Sequence, residues 1–146
     1  MATFTTAQML AAGVAPAGAD RAGFPGPFVL EYKIDGTKKA IAAADIVTCF
    51  DIPTYTAVVI DGAQMIVEAA ATATCTVDVG IAGTDITGLT AFDPTAAAGT
   101  KSSKLATAAN TVVTTSTASS LTLQFNTAGL GSGRFTVRIY GTIMTI

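Results

Sequence analysis

An antiparallel β-sandwich is the fold class that this sequence predicts, and two patterns carry the prediction. Short runs of alternating apolar and polar residues recur along the chain, with turn residues about every eight to twelve positions. Thr and Val are abundant, and their β-branched side chains favour extended backbone. At 146 residues and with no long helical period, we expect one all-β domain, most simply a jelly roll.

The clearest predicted strand covers residues 72–81, where the alternation is strict from residue 74 onward. Period two with β-branched residues is typical of a strand with one buried face. Asp78 falls on the polar face of this strand, together with the threonines. The face predicted to be buried carries Cys75, Val77, Val79 and Ile81.

The other segments follow in chain order. Asp35-Gly36 and Asp61-Gly62 predict tight turns, because Gly accepts a positive φ at no steric cost. The glycine-rich stretch 127–133 predicts a hairpin loop, residues 38–44 suit a short helix as well as a strand, and residues 101–109 predict a loop with a short edge segment. The remaining predicted strands are 28–34, 46–52, 55–61, 63–71, 86–92, 110–117, 121–126 and 134–146.

The alternation also predicts which side chains form the core. These are the larger apolar residues on the inward faces of the strands. They are Leu30, Tyr32, Phe50, Ile60, Val67, Val77, Val79, Leu121, Leu123, Phe125, Phe135, Val137 and Ile139.

Residues 1–26 differ from the rest and predict an extended N-terminal arm, leaving residues 27–146 as the β-sandwich domain. Repeated Gly and Pro prevent a helix longer than one or two turns, and the stretch cannot build its own core. A disordered tail is the alternative, but such tails are usually charged, and this segment is apolar. Pro16 and the lack of a basic residue before Arg21 argue against a signal peptide. Candidate partner-binding residues in the arm are Phe4, Met9, Leu10, Val14 and Phe24.

Charge is scarce, since only 12% of the residues are charged, against about 25% in average globular domains. We therefore expect much of the surface to consist of Thr, Ser and Ala, and part of it to be covered by partners, including further copies of the chain. The net charge of −2 gives no basic field for nucleic acid. No apolar run approaches the roughly 20 residues of a membrane helix.

We expect no catalytic residue, cofactor or metal. The chain has no His, which excludes Ser-His-Asp and Cys-His nucleophilic machinery and His-ligated zinc. The pairs Lys38-Lys39 and Lys101/Lys104 are expected to be solvated loop charges, or else contacts to an acidic partner surface. The aspartates, which are scattered without calcium-loop spacing, are Asp51, Asp61, Asp78, Asp85 and Asp93.

The two cysteines, Cys49 and Cys75, both fall in predicted strands. We expect them to be free thiols, and Cys75 to be buried, because it shares a face with Val77 and Val79. A disulfide between the two cysteines is the alternative, and it requires their strands to be neighbours.

The segment 45–80 resembles small β-rich structural proteins of tailed bacteriophage virions, including those of cyanophages. The resemblance lies in the strand–Ile52-Pro53–strand pattern and in the run Thr-Val-Asp-Val-Gly at 76–80. It implies a non-enzymatic capsid decoration, or cement, protein. Such a protein would sit as a homotrimer on the capsid exterior, bind the major capsid protein and stabilise the shell.

Other readings stay open from the sequence. The chain suits another phage head, tail or fibre component, or the main subunit of a simple β-structured capsid or surface layer. A carbohydrate-binding or adhesion module is a further alternative, since β-sandwiches host such sites. The absence of Trp and the few Tyr residues disfavour an aromatic sugar platform.

Overall fold

The computed structural model describes residues 26–107 and 110–145. The described residues form strands and no helix, and so they include no apolar helix of membrane-spanning length. Every strand pairing is antiparallel. The strands are β1 (Gly26–Asp35), β2 (Ile46–Ile52), β3 (Thr56–Ala69), β4 (Thr76–Ile81), β5 (Thr84–Asp85), β6 (Lys101–Leu105), β7 (Thr111–Val113), β8 (Ser119–Asn126) and β9 (Arg134–Thr145).

The strands form two sheets. The first has the order β1-β9-β3-β6, with β7 also paired to β3, and the second has the order β2-β8-β4-β5. The pairs are nested: β1 with β9, β2 with β8, β3 with β6 and β7, and β4 with β5. The predicted all-β antiparallel sandwich is therefore confirmed. The jelly roll stays a prediction, which the nested order favours because it is the pattern of two interleaved Greek keys.

The core lies between the two sheets as one apolar cluster. Phe125 of the second sheet and Phe135 of the first meet there, with ring centroids 6.3 Å apart. Ten of the thirteen predicted core residues are buried, whereas Leu30, Tyr32 and Phe50 are half-buried and pack against the edge of the cluster. The last three lie on β1 and β2, the outermost strands on one side of the sandwich, where less protein covers them.

The predicted turn at Asp61-Gly62 is wrong, because β3 runs through it without reversing. Ile60 lies opposite Gly141 and Gly62 lies opposite Tyr140, so Asp61 is an extra residue, a β-bulge. The bulge shifts the alternation by one position, which lets both Ile60 and Ala63 face the core. Asn110 supports this point: its backbone carbonyl accepts from the Ile60 N–H at 2.8 Å, and its side-chain amide donates to the Ile60 carbonyl at 3.0 Å.

The loop 127–133 is not the predicted hairpin loop. It joins β8 of the second sheet to β9 of the first, so it crosses between the layers. The turn after β1 makes the same crossing toward β2, and the two connections meet where the Gly36 N–H donates to the Gly133 carbonyl at 2.9 Å. These two connections therefore close one end of the sandwich.

Three smaller expectations change. Residues 86–92 form a loop rather than a strand, although Ile86, Leu89 and Phe92 are buried beneath it. Residues 38–44 form turns with one isolated bridge from Ile41 to Leu130, and no helix. Residues 101–105 form a regular strand, β6, because they pair with the part of β3 that follows the bulge.

Candidate assembly surface

The arm residues predicted to bind a partner lie outside the described residues. They are Phe4, Met9, Leu10, Val14 and Phe24. Their role and the division of the chain into arm and domain stay predictions. The described chain begins with β1 at Gly26, the last residue of the predicted arm.

The aspartates do not assemble into a site within residues 26–107 and 110–145, where no group of three potential metal ligands occurs. Asp78 lies on the side of its strand that the sequence predicts to be polar. It is not exposed there, however, because the loop 86–94 buries it. Its carboxylate accepts a hydrogen bond from the Ala91 N–H at 2.6 Å and another from the Asn126 side-chain amide. Burial, and then the nearby Asp78 charge, raise the pKa of Asp85. These contacts give Asp78 a structural role.

Neither thiol is arranged for chemistry. Cys49 and Cys75 are both free, as predicted, and Cys75 is buried. Cys49 lies on β2 and Cys75 just before β4, and β8 separates these strands, so the alternative of a disulfide is excluded. Burial raises the pKa of the Cys49 thiol to about 12. Burial and the Asp78 and Asp93 charges also raise the pKa of Cys75, so both thiols stay protonated near neutral pH.

Lys104 is not the solvated loop charge that the sequence predicts. Its ammonium group donates to the Thr90 carbonyl and, at 3.3 Å, to the Ala91 carbonyl. It also lies 5.0 Å from the centre of the Phe92 ring, within cation–π range. Lys104 therefore fastens the loop 86–94, which runs along β4 of the second sheet, to β6 of the first. Lys101, at the other end of β6, is exposed.

A shallow cavity of about 310 Å³ lies beside β1 and β2 at the opposite side of the sandwich. Lys33, Lys39, Asp35 and Asp45 line it together with Tyr32 and the aliphatic residues around Ile41. The two carboxylates already serve local turns. Asp35 accepts from the Thr37 N–H and hydroxyl, which lowers its pKa, and Asp45 accepts from the Ala42 N–H. The cavity therefore presents no free constellation of reactive groups.

The outer face of the first sheet presents the one broad apolar surface of the described chain. Residues directly opposite one another in antiparallel strands share a face, and the register gives three consecutive rows. Across the sheet these rows read Val29–Tyr140–Gly62–Leu105, then Pro27–Thr142–Val59–Thr111, then Met144–Ala57–Val113. We call these rows the apolar face.

The large side chains of this face reach solvent. Val29 is 60% exposed, Leu105 68%, Val113 61% and Met144 40%. They are four of the six exposed large hydrophobic residues in the described chain, and they come from four different strands. Rows along a strand repeat at about 6.8 Å and strands at about 4.8 Å, so the face measures roughly 14 by 14 Å. The area, about 200 Å², does not exceed the apolar patches of typical monomers, so the face is a candidate interaction surface because its exposed side chains are clustered and not because of its size.

Gly62 flattens the centre of the face. A Cβ built at this position would lie 2.7 Å from both the Tyr140 ring carbon Cζ and the Lys104 carbonyl oxygen. The Tyr140 ring therefore lies across Gly62 toward β6, which fills the middle of the row between Val29 and Leu105. The glycine of the Asp-Gly pair is needed for this close approach and not for a turn.

The other end of the same outer face is charged. Arg138 Nε lies 3.0 Å from the Glu31 carboxylate, and Lys33 Nζ lies 3.4 Å from the Glu68 carboxylate. Both ion pairs are exposed and contribute little stability. The sheet surface thus changes from charged to apolar along its strands, with the apolar end beside the start of β1.

Sequence reasoning missed this surface. The alternation places Val29 and Tyr140 on the outward side of their strands, but Leu105 lies in a segment predicted as loop. An outward apolar residue in a single strand is unremarkable. Only the strand order and register bring Val29, Leu105, Val113 and Met144 to one place.

No protein family and no curated protein matches the sequence. Solved structures do match the fold. A chain of the cyanophage Pam1 capsid asymmetric unit superposes with a TM-score of 0.52 at 19% identity, over 84% of this chain and 86% of that chain. A chain from the acidic stable capsid of Helicobacter pylori bacteriophage KHP30 gives a TM-score of 0.49 at 15% identity, over 82% and 92%.

The class that the fold defines is therefore an antiparallel β-sandwich of the kind found in a phage capsid. The resemblance to phage virion proteins expected from residues 45–80 is confirmed at the level of the fold, on the Pam1 comparison. The part that such a sandwich plays in a virion depends on its surfaces, since a fold alone does not specify a function.

Proposed function

We propose that this chain is a non-enzymatic virion structural protein, and specifically a capsid decoration, or cement, protein on the exterior of a phage head. The apolar face carries the proposal, because it presents a sheet surface suited to protein–protein contact in a fold shared with a capsid chain. The scarcity of charged residues supports it, since a chain covered by partners needs less polar surface.

The partners in this proposal are the major capsid protein and further copies of the chain, arranged as a homotrimer. The arm residues Phe4, Met9, Leu10, Val14 and Phe24 are the candidate partner-binding groups outside the sandwich. Stabilisation of the shell follows from mass action: a protein that binds only the assembled state lowers the free energy of that state. No nucleic acid or membrane contact is needed.

Purified particles of the phage that encodes the chain provide the test. We expect the chain to copurify with intact heads in a fixed ratio to the major shell protein, and to be accessible to antibody on unbroken particles. Its absence from purified particles would overturn the proposal. If antibody reaches the chain only after the particles are disrupted, the chain belongs to an interior part of the virion. If there are only a few copies per particle, it belongs to a tail, fibre or minor head component.

Rebinding to stripped heads tests whether attachment depends on the apolar face, through contact with the shell or through contact between copies. The double variant Leu105→Glu/Val113→Glu places two charges on the apolar face without touching the core, and we expect it to reduce the bound amount at least severalfold. The control is Lys101→Glu, an exposed change on the same strand as Leu105. Equal binding of both variants would show that the apolar face has no part in attachment.

A further inference from the structure

We propose that the apolar face receives the N-terminal arm of a neighbouring copy, so that each copy gives residues 1–25 to the next one. The inference rests on the self-association contained in the proposed function and names the two surfaces that meet. One is the three-row apolar face defined above. The other is the segment that precedes β1.

The chemistry of the two surfaces matches. The three rows of the face contain no charged residue. Residues 1–25 contain two charged side chains, Asp20 and Arg21, and five large apolar ones spread between Phe4 and Phe24. Burying apolar side chains against the face removes both surfaces from water, at about 25 cal/mol for each Å² buried.

The dimensions also match. The face is about 14 Å wide, and an extended chain advances about 3.3 Å per residue. Five or so residues therefore cross all the strands. In extended backbone alternate residues share a side, so the stretch Gln8-Met9-Leu10-Ala11-Ala12 turns either Met9 or Leu10 toward the face. A segment of 25 residues is long enough to cross the face and still reach from one copy to the next.

The sequence at the start of β1 favours an arm that leaves its own sandwich. Gly26 lies opposite Ile143, so the chain enters the sheet at the apolar end. Phe24 and Gly26 each precede a proline, and the residue before proline is biased toward extended conformations. An arm that covered its own face would have to reverse direction before residue 24.

A donor segment and an acceptor face at different places on one molecule make a heterologous contact. Repeated contacts of this kind close into a ring when the rotation between copies allows it. A ring of three copies is the arrangement that satisfies every arm and every face in the proposed homotrimer. The exchange explains why an arm without a core of its own stays apolar.

Photo-crosslinking of the full-length protein tests the inference. The variant Leu105→Cys is labelled with a benzophenone maleimide, illuminated, and examined on a denaturing gel, and the linked peptides are identified by mass spectrometry. Leu105 is exposed, so the substitution leaves the core intact. The native thiols label slowly, because Cys75 is buried, Cys49 is half-buried, and the pKa of each is raised. Wild-type protein taken through the same steps sets the background.

We expect covalent dimers in which the label on residue 105 is joined to residues 1–25 of the other copy. The matched control is Lys101→Cys, on the same strand and the same outer face but at its charged end, and its dimer yield should be severalfold lower. The further variant Met9→Ser/Leu10→Ser/Val14→Ser, combined with Leu105→Cys, should lose the dimers while the circular dichroism spectrum of the sandwich stays unchanged.

Three results would overturn the inference. A link to residues 1–25 within single chains would mean that the arm covers its own face. Dimers linked through residues 26–145 would mean that two faces pack together. A yield no higher than that of the Lys101→Cys control would mean that the face is free in solution.

Particle binding is measured separately on unlabelled protein, so the two proposals fail independently. Arm-to-face links in a protein that never binds heads would preserve the exchange and remove the decoration role. Head binding without such links would do the reverse.

Discussion

The Asp78 carboxylate accepts a hydrogen bond from the Asn126 side-chain amide diagonally across two neighbouring strands, since Asp78 lies opposite Gln124 and Asn126 opposite Thr76. The other Asp78 oxygen accepts from the Ala91 N–H at 2.6 Å. One buried carboxylate thus ties β4, β8 and the long loop after β5 into a single unit. A buried acceptor with two partners is costly to remove, because the partners are left unpaired.

Asp78→Ala should lower the free energy of unfolding by about 1–3 kcal/mol, since it leaves the Ala91 N–H and the Asn126 amide without their acceptor. Urea denaturation followed by circular dichroism measures the change. Asp51→Ala, at an exposed position on β2, serves as the control and should stay within about 0.5 kcal/mol of wild type. Equal effects from the two changes would contradict the structural role of Asp78.

Lys104→Met keeps the aliphatic stem but removes the donor that holds the Thr90 and Ala91 carbonyls. We expect the loop 86–94 to be cleaved faster by protease in the folded protein, because its attachment to β6 is lost. The free energy of unfolding should fall by about 1.5–3 kcal/mol, the range for a hydrogen bond to a charged group. Lys101→Met, at the exposed end of the same strand, should change neither quantity, and a matching increase in its cleavage would contradict the assignment.

Alkaline pH should destabilise the fold through Cys49. The pKa of the Cys49 thiol rises from its ordinary value of 9.0 in the unfolded chain to about 12 in the folded protein, because the thiol is desolvated there. Between these values the unfolded state binds fewer protons, so the free energy of unfolding falls as pH rises. Thermal unfolding of wild type and Cys49→Ala from pH 8 to 11 isolates this contribution from other titrating groups. A pH slope that is the same in both proteins would contradict the prediction.

Truncating a side chain at the centre of the core should lower the free energy of unfolding strongly, whereas truncating one on the apolar face should hardly change it. Phe125→Ala removes a fully buried ring that contacts the opposite sheet and should cost about 3–5 kcal/mol. Val29→Ala, at a 60% exposed position, should cost less than about 0.5 kcal/mol in a monomer. Chemical denaturation at several protein concentrations checks both. A cost for Val29→Ala that grows with protein concentration would show that the face is buried by association.

The alternation in the sequence was enough to predict the sandwich and most of its core, because it depends only on neighbouring residues. Val77, Val79 and Phe125 are buried where period two puts them. The pattern failed where a local signal has two structural uses. Asp61-Gly62 has the composition of a turn, but in the structure it forms a bulge within the 14-residue strand β3. Pairing with β9 on one side stabilises the strand across this bulge.

Long-range pairing explains the other differences. The residues 127–133 form a short glycine-rich connection whether the flanking strands pair with each other or lie in different sheets. Lys104 looked like a loop charge because its partners, the carbonyls of Thr90 and Ala91, are backbone groups that no side-chain pattern reveals. The apolar face could not be predicted from the sequence either, because it depends on the register of several paired strands at once.

The nested pairing has a consequence for the order of events during synthesis. Among the described strands, β1 is synthesised first and β9 last, and their pairing is one of the two longest ladders. β9 also lies between β1 and β3, so the first sheet has a gap until the final strand arrives. Closing a loop of that length is entropically slow. β1 therefore has no partner in its sheet until β9 has been synthesised.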